Sequence, residues 1–148
     1  MNNFKFRYES MLELLEKKQD SVKNHLSQAY NLLNKEKNKL ESLVSKDAEY
    51  SNLIKDRTSN GCKLMVLRHI EGYRKDLNIK IDLQNDIIYE REKEINTVRN
   101  KLIEISKEKR IMEKLKEKKL EEFNVSLKKM EERKVDGLVS YKNSLQHR

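Results

Sequence analysis

The chain has no proline, no tryptophan, one cysteine and only three glycines, Gly61, Gly72 and Gly137, in 148 residues. Helix breakers are therefore almost absent, which argues against turn-rich disorder over most of the length. A lone Cys62 excludes an internal disulfide and fits a reducing compartment. Long apolar runs are missing too. The longest, Leu64 to Leu67, falls far short of the roughly 20 residues a membrane helix needs, and the opening MNNFKFRYES carries no signal-peptide apolar stretch. A cytoplasmic protein without direct membrane insertion is the expectation. His25, His69 and His147 lie far apart, Cys62 has no ligand-like neighbours at metal-site spacing, and no glycine loop of the Walker or GxGxxG type exists. No catalytic, cofactor-binding or metal-binding residue is expected.

What the chain does have is charge and period. Charged residues make up 39% of it, too many to wrap a compact core. From Tyr8 a seam advances in alternating steps of four and three: Tyr8, Leu12, Leu15, Gln19, Val22, Leu26, Ala29, Leu33, Glu36, Leu40, Leu43, Asp47, Tyr50 and Ile54. Most of these positions are apolar, so a 3.5-residue period holds for nearly seven heptads, as in a coiled coil. The segment DRTSNGCK then breaks the pattern, with Asn60-Gly61 the clear turn signal. A second seam follows through Ile81, Gln84, Ile88, Arg91, Ile95, Val98, Leu102, Ile105, Lys109 and Met112.

A short connection between long helices favours antiparallel neighbours. The expected fold is all-α, a single antiparallel coiled-coil hairpin with helix 1 over about 4–56, a turn over about 57–63 and helix 2 over about 64–145, Asn3 capping the first helix. Folding about Asn60-Gly61 brings residue 54 near 67 and residue 8 near 113, and sets the seam residue Asp47 within about a turn of Arg74, a pair suited to fixing register. Past Met112 the second helix outruns the first. Its apolar stripe changes phase there and continues through Leu120, Phe123, Leu127 and Met130, leaving roughly thirty residues expected to lack an intramolecular partner.

Charge is unevenly placed: residues 99–134 hold 13 Lys and Arg against 8 Glu, so +5 of the net +8 sits there. Interleaved glutamates and the absence of aromatic platforms among the lysines weigh against a nucleic-acid surface, and favour a protein partner or a merely solvated face. Gly72 lies inside the second helix, where glycine costs about 1 kcal/mol relative to alanine. It is either tolerated near a helix end or leaves room for a partner beside Tyr73.

Three elements in order resemble the FliJ family of the bacterial flagellar type III export apparatus. The first is FKFRYESMLELLEKK, with Phe4 and Phe6 before Leu12, Leu14 and Leu15. The second is IEGYRKDLNIKI, where Tyr73 is followed four residues later by Leu77. The third is RNKLIEISKEKRIMEKLKEKKLEEF followed by EERKVDGLVSYK, in which Asp136-Gly137 stands where the family usually has Asp-Glu. The resemblance implies an antiparallel two-helix coiled coil, similar to the central stalk of rotary ATPases, that promotes assembly of the hexameric export ATPase FliI, touches the export gate protein FlhA and handles export chaperones. It implies a location at the inner face of the cell membrane at the flagellar base. Laid on the two-helix reading, it suggests a gate contact through Tyr73, Leu77, Lys80 and Gln84, and an ATPase contact through Arg99, Lys101, Lys107, Arg110, Lys114, Leu120, Phe123, Leu127 and Met130. The free protein is then a monomer. Rival readings are a self-associating tether that uses the seam between chains, a helical nucleic-acid binder, and the equivalent stalk of a virulence secretion system.

Overall fold

A computed structural model describes residues 3–147. It contains two helices, α1 (Glu9–Asn60) and a longer α2 (Leu64–Gln146), which pair as an antiparallel coiled-coil hairpin with no strand among the described residues. Contacts group the chain into two compact units, Met1–Asp20 with Ile103–Arg148, and Ser21–Leu102.

The turn unit, Ser21–Leu102, holds the heart of the seam. Ala29, Leu33, Ile88 and Ile95 form one buried cluster with Leu26 and Leu40 packed against it. Each buried leucine or isoleucine of the cluster contributes roughly 1.5–3 kcal/mol, which is what holds so polar a sequence in a helical pair. The turn is shorter than expected. Helix α1 runs on through Thr58, whose hydroxyl donates to the Ile54 carbonyl at 2.6 Å, and only Gly61–Lys63 are non-helical. Gly61 adopts φ 79°, the left-handed conformation that terminates a helix and that glycine reaches without strain. The Lys63 carbonyl then accepts the first bonds of α2, from Val66 at 3.1 Å and Leu67 at 3.4 Å.

Polar seam residues are all answered in this unit. Arg74 donates to Asp47 at 3.0 Å, the pairing expected from the turn position. The Gln84 amide donates to the Glu36 carbonyl at 2.9 Å and to its carboxylate at 2.5 Å. That donation, with Lys39 adding its charge, holds the Glu36 carboxyl below its ordinary value. A depressed carboxyl stabilises the fold above its unfolded value of about 4.3 and loses that contribution as pH falls through the lower folded value. Melting temperature should therefore fall as the solution is acidified below about pH 4, and Glu36→Gln should fall less steeply over that window.

The terminal unit, Met1–Asp20 with Ile103–Arg148, departs from expectation at its start. Asn3 does not cap α1. Residues 3–6 are non-helical, and the Tyr8 carbonyl accepts the first α-helical bond, from Leu12 at 3.0 Å. The opening segment instead lies as a strap against α2, with the Phe4 ring 5.6 Å from Phe123 and Phe6 set edge-on to Tyr8 at 5.9 Å. The ring contacts of Phe4 and Phe6 favour this path over another helical turn, in which aromatic side chains lose rotamer freedom. Register in this unit is set by Gln19, which donates to Ser106 at 3.1 Å and accepts from Lys109 at 2.9 Å, and by Lys116, ion-paired to Glu9 at 2.9 Å. Glu9 therefore reaches about one turn beyond residue 113, a distance the flexible Lys116 stem spans. The unpartnered part of α2 is correspondingly shorter than thirty residues. Phe123 has a partner in Phe4, Leu127 is half-buried, and every residue described from 128 onward is exposed.

Candidate docking surfaces

The seam side chains hold the helices together, so a partner is met on the exposed helix faces and exposure separates scaffold from surface. Of the four residues expected to meet the gate, two point inward. Leu77 is 6% exposed and Gln84 8%, because the four-and-three step of the α2 seam extends back from Ile81 through Leu77 and Arg74. They belong to the scaffold, and Gln84 is already committed to Glu36. Tyr73 and Lys80 remain exposed, although the Tyr73 ring leans on Tyr50 with centroids 5.5 Å apart.

A surface stripe lies beside them that the sequence reading missed. Ile79, Leu83 and Ile87 are exposed at i, i+4 and i+8, flanked by Asp76, Asp86 and Glu90 on one face of α2. Gly72 stands on the same face, and a side chain added there would meet nothing within 4 Å. Open space beside Tyr73 is what a close approach would need. The signal was present as a second helical period, hidden behind the stronger seam of the same helix.

The cations expected to meet the ATPase divide in two. Lys107 is 3.9 Å from Glu104, Arg110 is 3.6 Å from Glu113 and 4.0 Å from Glu117, and Arg99 donates to the Tyr30 hydroxyl. All are surface contacts worth little on their own and easily exchanged for a partner's carboxylates. Lys101 and Lys114 are exposed, with no ion pair inside 4.0 Å among the described residues. Of the apolar set, Leu120 and Met130 are exposed, Leu127 is half-buried, and Phe123 is half-buried under the strap. The stripe does not stop at Met130. It continues at helical spacing through Lys134 to Leu138, Tyr141 and Leu145, all exposed. An apolar recess lies between the helices of the same unit, where Met11, Leu14 and Leu15 face Ile111 and Met112.

No group of three or more His, Cys, Asp or Glu close enough to hold a metal occurs among the described residues. No helix described is long and apolar enough to cross a membrane.

Comparison with known proteins adds one finding. No curated protein matches the chain at a significant level, and no solved structure does. A family model described as flagellar FliJ protein matches residues 4–147, from the strap through the exposed end of α2. A two-helix coiled coil with nearly every residue inside the match, the chain belongs to the flagellar FliJ protein family, whose members are associated with flagellar protein export.

Proposed function

We propose that the protein is the non-catalytic stalk of a flagellar export ATPase, binding and activating a FliI-like hexameric ring, contacting a FlhA-like gate and handing on export chaperones, with no nucleic acid or cofactor involved. The observation that carries this reading is the exposed end of α2. An apolar stripe on a single basic helix, reaching past the strap to Leu145, is built to be surrounded by other subunits. Lys101 and Lys114 and the weakly paired Lys107 and Arg110 sit on the same helix for acidic loops to meet. Such a protein works at the inner face of the cell membrane without entering it, and is a monomer when free of its partners.

Binding to the purified cognate ATPase, followed by mass, tests the reading. A stalk saturates at one chain per ring in the presence of nucleotide. A tether or a solvated coiled coil shows no binding at any ratio.

For the gate, the accessible face replaces the one first expected. Ile79, Leu83 and Ile87, with Tyr73 and Lys80 at its edge, make the contact. Leu83→Ser with Ile87→Ser should weaken gate binding about tenfold or more while leaving the melting temperature within a degree or two, since both residues lie outside the seam. Calorimetric titration against the gate's cytoplasmic part reads this directly, and unchanged affinity would remove the stripe from the contact.

A further inference from the structure

The strap covers the α2 stripe at Phe123 through Phe4, and strap and helix together line a recess that reaches Ser126. Beyond it the face continues through the half-buried Leu127 to Met130, Lys134, Leu138, Tyr141 and Leu145, all exposed among the described residues. This free stretch is self-complementary when reversed. Read antiparallel about a point beside Asp136, Leu127 falls opposite Leu145, Met130 opposite Tyr141, and Lys134 opposite Leu138. On the flank of the same face, Glu131 falls opposite Lys142, and the two-fold relation makes that ion pair twice.

We infer that the exposed end of α2 pairs antiparallel with the same segment of a second copy of this chain, about a two-fold axis beside Asp136. The parallel alternative sets Lys134 against Lys134 in the middle of the seam, where like charges disfavour it, and holds Glu131 and Lys142 on opposite flanks where they cannot pair. In the antiparallel arrangement the Lys134 stem lies over Leu138 and its ammonium runs out to water. The strap fixes the extent of overlap. A second helix that slid further back would collide with Phe4 on Phe123, so the overlap ends at Leu127 on both sides.

The pairing is weak by construction. Two helical segments of this length, with six seam positions each, bury less than the roughly 1,600 Å² of a standard interface, so the chain is monomeric when dilute and pairs when concentrated. Pairing covers the face offered to a ring, and the two occupants compete. The inference itself does not depend on the ring.

Sedimentation equilibrium of the full chain, from low micromolar to near millimolar, tests it. Mass should climb from monomer toward dimer with concentration. Glu131→Lys should weaken association about tenfold, since two favourable contacts become two repulsive ones, and adding Lys142→Glu should restore it. Leu138→Ser with Leu145→Ser should abolish it while helical circular dichroism stays near that of the parent. Monomer mass throughout, a dimer indifferent to Glu131→Lys, failure of the double exchange to rescue, or a dimer that survives the two serines would each overturn the antiparallel pairing.

Discussion

Replacing Leu77 by alanine should destabilise the protein by about 2–4 kcal/mol, whereas Tyr73→Ala, one turn away, should cost at most about 1.5 kcal/mol. The contrast follows from where each side chain sits. Leu77 is almost fully buried in the α2 seam, so truncation removes transfer energy and leaves a cavity that two rigid helices cannot close. Tyr73 is 56% exposed and loses only its lean on Tyr50. Thermal unfolding by circular dichroism checks both. A Leu77 variant as stable as the parent would mean that the seam does not extend back from Ile81. The result also bears on function, because a Leu77 variant that fails to bind a partner has lost scaffold. Binding defects become informative only at Leu83 and Ile87, where exposure separates contact from folding.

The second large effect is expected at the exposed end of α2. Changing Leu138, Tyr141 and Leu145 to serine should weaken ring binding by on the order of a hundredfold or more, with the melting temperature unchanged. Each side chain is more than half exposed, so its removal costs the free protein little. On the proposed stalk role each would be enclosed by the ring, and buried leucine and tyrosine side chains carry a large share of interface energy. These three are a cleaner choice than Phe123, whose ring holds the strap through Phe4, so that Phe123→Ser would release residues 3–8 as well as alter the stripe. Wild-type affinity in the triple variant would move the contact elsewhere on the chain.

Much of this architecture was legible in the sequence because a coiled-coil seam repeats often enough to outvote its exceptions. Of the fourteen seam positions from Tyr8 to Ile54, all but Tyr8 are buried or half-buried, including the polar Gln19, Glu36 and Asp47. Locating the turn at Asn60-Gly61 was enough to pair Asp47 with Arg74, since antiparallel register near a tight turn leaves little freedom. The strap was not legible. An extended segment with aromatics at Phe4 and Phe6 has no period, and its place is decided by what α2 offers at Phe123, a contact more than a hundred residues away in the chain. Nor was the assignment of Leu77 and Gln84 secure. They fit the resemblance as a surface pair and fit the seam as interior residues, and the step of three and four from Ile81 decides for the interior. The stripe at Ile79, Leu83 and Ile87 escaped notice because a helix that is apolar on two faces shows one dominant period and hides the other.

The measurement that tests the stalk role most directly is the ATP hydrolysis rate of the purified cognate export ATPase as the protein is titrated in. A stalk that promotes ring assembly raises the rate and saturates near one chain per ring, and the Leu138, Tyr141 and Leu145 serine variant leaves the basal rate untouched. A rate that stays at its basal value at every ratio of wild-type chain to ATPase would contradict it.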